Sequence, residues 1–209
     1  MQFSNRPVVN GLILAAGMSS RMGDFKPLLR FGSKTLIESS IDSMLDAGVH
    51  RVVVVLGFGG EKIEAVLKQH YDSRVIYAWN QRYAVTDMLE SVKCGLREMP
   101  ECQSFFLLPG DMPVVRKSTF GALLSRRPKN RPFLMFPTLE GRQKHPPLIH
   151  SDFIPAILNY CGEGGLRRIW VQYPEYVAEV PVDDPGVWID IDTRQEYERC
   201  ISRYQPAGF

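Results

Sequence analysis

The 209-residue sequence lacks the features that mark several common protein classes. Its four cysteines form no CxxC pair and no cluster with histidine at metal-binding spacing, which argues against a zinc site or a disulfide framework. The net charge of +2 gives no broad positive field for nucleic acid or a membrane surface. No apolar run approaches the roughly 20 residues that cross a bilayer, and the N-terminus lacks the basic flank of a secretory signal. We therefore expect a cytoplasmic protein that binds neither nucleic acid nor membrane.

Two common phosphate-binding motifs are also missing. The stretch LAAGMSSRMGDFK at 14–26 has five residues between Gly17 and Gly23, and Asp-Phe-Lys after Gly23, so it is not GxxxxGK[ST]. No GxGxxG follows the first apolar run, which disfavours a nicotinamide-dependent oxidoreductase, an alternative that tight NAD binding would revive. No Ser/His/Asp or Cys/His constellation indicates covalent catalysis.

Short apolar runs alternate with helical patterns along the chain. This alternation predicts an α/β fold with a mostly parallel, Rossmann-like sheet and helices on both faces. Because no linker rich in Gly, Ser or Pro divides the chain, we expect one domain over 1–209. The β-branched run at 51–56 predicts a strand buried on both faces, and Thr35 with Glu38 predicts a capping box. The other predicted strands are 10–15, 74–79, 104–108, 133–137 and one ending near 182; the predicted helices include 86–98, 118–125 and segments starting near 151, 164 and 193.

The 14–26 stretch follows the first predicted strand and is rich in hydrogen-bond donors. In an open α/β sheet, the loops at the carboxyl ends of the strands build the binding site. Gly17 and Gly23 permit close backbone approach, and the amides between them can form an anion-binding nest. A plain glycine turn with solvated cations is the alternative, but the density of donors favours anion binding. The candidate phosphate ligands are Ser19, Ser20, Arg21 and Lys26.

Acidic side chains follow two later segments. Asp111 ends an apolar run in LLPGDMP, where a carboxylate is well placed to hold Mg²⁺ against a triphosphate, although an Asp in this context is also a common turn former. Asp190 and Asp192 in VWIDID share one face if the segment is extended. Capping of the last helix by Asp192 or Thr193, beside a solvated acidic turn, is the other interpretation of that segment.

The stretch LAAGMSSRMGDFKPLLRFGSKTLIE at 14–38 resembles the opening motif of the MobA-like nucleotidyltransferases, in particular their molybdenum cofactor cytidylyltransferase branch. The resemblance implies that a nucleoside triphosphate binds on this loop with Arg21 and Lys26 on its phosphates. It places the segment that approaches the base at Leu14, Ala15, Ala16 and Gly17. The LAAG form implies CTP as the donor.

The same resemblance assigns roles to residues farther along the chain. It implies metal ligands at Asp111 and Asp192, with Asp190 as a second choice beside Asp192. The block GRQKHPPLIH implies that Lys144 and His145 meet the acceptor, although a lone histidine in a proline-rich turn is also common surface structure.

One segment departs from the family pattern. Where the family has G-M-x-S-S-L, this chain has DMLESV at 87–92. Met88 and Ser91 match the family pattern, and Ser91 is therefore a candidate nucleotide ligand. Two acids, Asp87 and Glu90, stand near the expected nucleotide, and they motivate a reading in which the protein binds its ligand without turnover.

These observations together predict a Mg²⁺-dependent nucleotidyltransferase that moves CMP from CTP onto a phosphorylated acceptor of the molybdopterin type and releases pyrophosphate. Donation from GTP, or transfer to a sugar or alcohol phosphate, are alternatives within the same class. The other alternative is a non-catalytic nucleotide- or cofactor-binding maturation partner of a molybdenum enzyme. Since Arg21 and Lys26 lie in a polar loop, their removal is expected to slow transfer much more than it perturbs folding.

Overall fold

A mostly parallel sheet forms the centre of the fold in the computed structural model, which describes residues 7–17 and 25–204. The strands are β1 (Val9–Ala15), β2 (Arg30–Phe31), β3 (Lys34–Thr35), β4 (Val52–Leu56), β5 (Val75–Trp79), β6 (Ser104–Pro109), β7 (Leu134–Leu139), β8 (Arg142–Gln143), β9 (Leu148–His150) and β10 (Val177–Pro181). The helices are α1 (Leu36–Asp46), α2 (Gly60–His70), α3 (Met88–Arg97), α4 (Lys117–Arg126), α5 (Ile154–Asn159), α6 (Gly165–Val171) and α7 (Arg194–Tyr204).

The strand order in the sheet is β10-β7-β9-β6-β1-β4-β5, with β8 paired to β7, while β2 and β3 form a separate ribbon. Strands β6, β1, β4 and β5 run parallel, and β10 runs parallel to β7. Strand β9 is antiparallel to both of its neighbours. The predicted α/β fold with a mostly parallel sheet is therefore confirmed. Its consequence is that β1, β4, β5 and β6 all end at one edge of the sheet.

Strand β4 has all five residues buried, as the β-branched run predicted. Val54 packs in the cluster of apolar side chains that includes Ile13 and Ile41, whereas Val53 packs in the cluster that includes Leu12 and Val92. Because alternate residues of a strand point to opposite faces, this strand contributes to the core on both sides of the sheet. The helices on both faces of the sheet therefore pack against side chains of the same strand.

The local signals at helix ends agree with the structure in most places. Thr35 and Glu38 form the predicted capping box at the start of α1. Helix α3 starts at Met88, two residues later than the pattern predicted, because the Asp87 side chain accepts a hydrogen bond from the Glu90 amide at 3.1 Å and caps it. The segment after Ser151 begins as a 3-10 turn that leads into α5. Among the helices that the structure describes, none combines the length and the apolar character needed to span a bilayer.

Helix α3 packs closely on the sheet at Gly95. A Cβ atom at this buried position would collide with the Leu12 side chain and would stand 2.7 Å from Val55 Cγ2. Leu12 and Val55 are fully buried and have little room to move. Gly95 therefore sets how near α3 lies to β1 and β4. Gly121 in α4 also sits inside a helix, but a Cβ atom there would have no neighbour within 4 Å.

We expect Gly95→Ala to lower the free energy of unfolding by about 1–2 kcal/mol, because overpacking outweighs the gain in helix propensity. The matched change Gly121→Ala should be neutral or should stabilise by up to about 1 kcal/mol, since it adds helix propensity without a clash. Urea denaturation of both variants measures the difference. Equal effects at the two glycines would contradict the close packing of α3.

Candidate active site

A cleft of about 460 Å³ opens at the edge where the parallel strands end. We call it the sheet-edge cleft. Its floor is the end of β1 and the two residues after it, 14–17, together with 109–111 after β6. Lys26, Pro27 and Asp192 form one wall. The opposite wall is formed by Tyr83, Thr86 and Asp87 from the connection between β5 and α3, and by Met88 and Ser91 from the first turns of α3.

Pairing of β1 with β6 brings Asp111 into the cleft. Leu14 is in register with Pro109, and the Gly110 amide donates to the Leu14 carbonyl at 2.9 Å. The backbone therefore remains tied to β1 for one residue beyond β6, and Asp111 follows directly. A Cβ atom at Gly110 would stand 3.0 Å from the Leu14 carbonyl oxygen, which is too close for an ordinary side chain without adjustment.

Lys26 lies between two carboxylates at the charged end of the cleft. Its Nζ atom is 2.9 Å from Asp111 Oδ2 and 2.9 Å from Asp192 Oδ1. Burial alone would lower the pKa of Lys26, but attraction by Asp111 and hydrogen bonds to both carboxylates raise it above its ordinary value. The ammonium group is therefore held charged and in place.

Backbone hydrogen bonding explains why Asp192 lies beside Asp111. The Ile191 amide donates to the Asp111 carbonyl at 3.1 Å, and the Ile191 side chain is fully buried. The Thr193 hydroxyl accepts from the Glu196 amide at 3.2 Å, while the Glu196 carboxylate accepts from the Thr193 amide at 2.7 Å. Of the two capping residues that the sequence left open, Thr193 thus caps α7, and the Asp192 carboxylate points to Lys26.

A small apolar cluster joins the two sides of this charged end. It contains Leu36 at the start of α1, Ile191, and Tyr197 and Cys200 of α7, all buried. The Leu36 amide donates to the Leu29 carbonyl, and the Tyr197 hydroxyl donates to the Arg30 carbonyl at 2.6 Å. The segment after Lys26 and the segment around Asp192 are therefore packed against each other, although they lie far apart in the sequence.

The charged end also has the chemistry of a divalent-cation site. Asp111 and Asp192 present carboxylate oxygens, the ligands that Mg²⁺ prefers, around a point that a cation already occupies. Asp111 Oδ1 is buried without a hydrogen-bond partner within 7–17 and 25–204. The same described ranges hold no group of three or more His, Cys, Asp or Glu at metal-binding distance. Two carboxylates fit an ion that takes its remaining ligands from a triphosphate and water.

A buried asparagine orders the opposite wall. Asn80 is 2% exposed, and its Nδ2 atom donates to Thr86 Oγ1 and to Ser91 Oγ, each at 3.0 Å. Its Oδ1 atom accepts from the Arg82 amide at 3.0 Å. The connection between β5 and α3 is thereby pinned to the first turns of α3. Thr86 and Ser91, which both line the cleft, are thereby held in place.

The candidate residues fall into three groups. Leu14, Ala15, Ala16, Gly17, Lys26, Ser91, Asp111 and Asp192 all line the sheet-edge cleft. Ser19, Ser20 and Arg21 lie outside the described residues. Asp190, Lys144 and His145 are placed elsewhere, as described next.

Asp190 is exposed and lines a separate, smaller pocket with residues of α7. Lys144 Nζ lies 3.0 Å from the centre of the Trp188 ring, and burial together with Arg142 lowers the pKa of this lysine. His145 Nδ1 is 3.4 Å from the Leu107 carbonyl oxygen, and burial lowers the histidine pKa. The roles of these three residues in metal or acceptor binding stay predictions.

One expectation changes with the tertiary structure. Lys26 is 9% exposed and makes two ion pairs, so it is not a solvated residue of a polar loop, and its removal is expected to affect stability as well as activity. Met88, the first residue of α3, is 57% exposed and lines the cleft. Sequence analysis also missed Tyr83 and Thr86, although their position in the connection that follows a parallel strand was a usable signal.

Comparisons with known proteins agree on the family and the fold. The family profile of the MobA-like NTP transferase domain matches residues 11–177. A nicotine blue oxidoreductase from Paenarthrobacter nicotinovorans is 29% identical over 93% of this chain and 97% of its own. The molybdenum cofactor cytidylyltransferase of Escherichia coli K12 is 26% identical over 94% of this chain and 97% of its own.

Solved structures show the same architecture. A nucleotidyl transferase from Methanothermobacter thermautotroptrophicus superposes with a TM-score of 0.79 and 20% sequence identity. The superposition covers 94% of this chain and 97% of that one. At this identity the likeness shows the fold alone.

We expect a double-mutant cycle of Lys26→Met and Asp111→Asn to be clearly non-additive. The two side chains are 11% and 24% exposed, so removal of either partner leaves a poorly hydrated charge and should lower the free energy of unfolding by about 1–3 kcal/mol. The coupling energy should be at least about 1 kcal/mol. Chemical denaturation of the four proteins measures it.

The i,i+4 pair of Glu64 and Lys68 is the matched control. Its lysine side chain is 62% exposed, so a cycle of Glu64→Gln and Lys68→Met should give a coupling energy of only about 0.3–0.5 kcal/mol. A coupling at Lys26 and Asp111 no larger than this control would show that the central pair is not held as the structure indicates.

Proposed function

Because the chain belongs to the MobA-like NTP transferase domain family, we propose that it transfers the CMP group of CTP to a phosphorylated acceptor of the molybdopterin type. The likeness to a molybdenum cofactor cytidylyltransferase over nearly the whole chain supports this choice of donor and acceptor. The observation that carries the proposal is the meeting of Lys26, Asp111 and Asp192 at the charged end of the sheet-edge cleft.

The proposed reaction needs little from the protein beyond alignment and charge. A phosphate oxygen of the acceptor forms a bond to the α-phosphorus, and the bond from that phosphorus to the bridging oxygen breaks. The electron pair leaves with pyrophosphate. Because the attacking phosphate is already ionised at neutral pH, no general base is required. Among the residues that line the cleft, Lys26 carries the positive charge that would bind the departing pyrophosphate. Arg21 is proposed to act with it.

Magnesium fits the charged end, and Asp111 and Asp192 would hold it. When bound there it would neutralise charge on the triphosphate. Asp111 Oδ1 supports this assignment, because a buried carboxylate oxygen without a partner in the described residues is otherwise unfavourable. Lys26 contacts the same two carboxylates and offsets part of their negative charge.

A second candidate function comes from another relative that matches over nearly its whole length. The 29% identity to a nicotine blue oxidoreductase favours an oxidoreductase that uses the same cleft. The first strand is followed by LAAGMSSRMG and not by GxGxxG, which weighs against a dinucleotide site of the usual kind. The third candidate is a maturation partner of a molybdenum enzyme, which would bind the nucleotide or the cofactor as the transferase does but would not turn it over.

Pyrophosphate release, measured together with the binding of CTP and of NAD, separates the three candidates. Purified protein is given Mg²⁺, a molybdenum cofactor precursor and each nucleoside triphosphate in turn, and pyrophosphate release is followed. We expect release with CTP, and a loss of roughly 100-fold or more in Asp111→Asn, because this change removes a proposed ligand of the magnesium ion that would neutralise charge on the triphosphate. Arg21→Ala should also slow release strongly.

The matched control for Asp111→Asn is Asp183→Asn, which removes an exposed carboxylate outside the cleft and should leave the rate unchanged. CTP binding without pyrophosphate release would favour the maturation partner. Tight NAD binding with hydride transfer, and no response to nucleoside triphosphates, would favour the oxidoreductase. Normal turnover by a folded Asp111→Asn protein would overturn the proposed role of this residue.

A further inference from the structure

The charges of the sheet-edge cleft are distributed unevenly. Lys26, with Asp111 and Asp192, forms the end that suits phosphates and a cation. The wall formed by the start of α3 carries the Asp87 carboxylate instead. Triphosphate oxygens would be repelled at Asp87, whereas Lys26 together with a Mg²⁺ ion held by Asp111 and Asp192 would attract them. With Mg²⁺ bound, a nucleotide in this cleft would therefore be oriented with its phosphates at Lys26 and its base toward α3. Ala15 and Ala16 in the floor of the cleft are apolar and suit the face of a base.

Asp87 has one carboxylate oxygen committed and one available. Oδ1 accepts from the Glu90 amide at 3.1 Å, and this hydrogen bond fixes the side chain at the start of α3. Oδ2 has no hydrogen-bond partner among the side chains and backbone groups that the structure describes. An ionised carboxylate can only accept hydrogen bonds, so Oδ2 is suited to a ligand that donates.

Ser91 lies one helical turn after Asp87 and offers the opposite function. Its side-chain oxygen accepts from Asn80 Nδ2 at 3.0 Å, and Ser91 is 8% exposed. Since that oxygen already receives a proton from Asn80, its own hydrogen is directed elsewhere, and within the described chain it meets no acceptor. The wall therefore presents an acceptor at Asp87 and a donor at Ser91.

We propose that Asp87 selects the nucleotide by the amino group of its base, so that cytosine is accepted and uracil is rejected. This inference rests on the proposed function, since it assumes that the cleft binds a nucleoside triphosphate. Cytosine offers an amino donor next to ring acceptors, which matches a carboxylate acceptor next to a hydroxyl donor. Uracil has a carbonyl oxygen in place of the amino group, and that oxygen would face Asp87 Oδ2 with like partial charge.

The test compares the binding of CTP and UTP, which differ at this edge of the base. Dissociation constants are measured with Mg²⁺ and without acceptor, so turnover is not needed. We expect wild-type protein to bind CTP at least tenfold more tightly than UTP, since the bond to the carboxylate is charge-assisted. In Asp87→Asn this ratio should fall to about threefold or less, because the amide can turn its NH₂ group toward the uracil carbonyl.

The ratio is the informative quantity, because loss of a negative charge strengthens the binding of both nucleotides together. Asn caps helices about as well as Asp, so Asp87→Asn should keep α3 and the melting temperature intact. Asp87→Ser is a second variant that retains a capping side chain and removes the carboxylate, and it should also lower the ratio.

Glu90→Gln is the matched control. Glu90 lies in the same first turn of α3, but it is oriented toward Arg97 and Lys93, at 3.5 Å and 3.9 Å, and does not line the cleft. It should keep the wild-type ratio. An unchanged ratio in Asp87→Asn and Asp87→Ser, or the same drop in Glu90→Gln, would overturn the role of Asp87. Equal binding of CTP and UTP by the wild-type protein would also overturn the role of Asp87, but it would not contradict the proposed transferase activity. If the protein bound no nucleoside triphosphate at all, the proposed function itself would be overturned.

Discussion

The ion pairs that Lys26 makes with Asp111 and Asp192 hold the site together. These residues come from three distant parts of the chain, and each has its own anchor: a 3-10 turn, the end of β6, and the segment before α7. Placing two carboxylates next to each other is unfavourable without a compensating cation. The buried ammonium of Lys26 supplies that cation, and the backbone bond from Ile191 to Asp111 sets the spacing.

The opposite wall of the cleft depends on a different constraint, which is the satisfaction of a buried amide. Asn80 lies directly after β5 and cannot be hydrated, so its polar atoms are satisfied by Thr86, Ser91 and the Arg82 backbone. This requirement fixes the connection into α3, while Gly95 lets the helix approach the sheet. Asp87 then has a defined position as the helix cap and as part of the cleft wall.

Sequence patterns predicted much of this molecule because they report local and periodic physics. The buried run of β4 and the capping box of α1 follow from neighbouring residues, and both are confirmed. Binding sites form where parallel strands end, and this rule predicted that Asp111 and the 14–17 segment belong to the same site. Both line the cleft. Membership of the MobA-like family, inferred from the opening motif, is likewise confirmed.

Other properties required the three-dimensional arrangement. A polar loop is the ordinary environment of a lysine, and only the approach of Asp111 and Asp192 shows that Lys26 is buried and paired. Met88 lies in the helix predicted over 86–98, but only the structure shows that its position at the very start of α3 exposes it to the cleft.

The sequence by itself determined the α/β fold class, the family and the chemical types of the groups in the site, because apolar periodicity and local motifs are written in neighbouring residues. Only the tertiary structure decided that Lys26 pairs with Asp111 and that Asp87 lines the cleft. It also decided that Asp111 Oδ1 has no hydrogen-bond partner among the residues that the structure describes. These depend on distances between residues far apart in the chain, and such distances are set by packing of the whole fold.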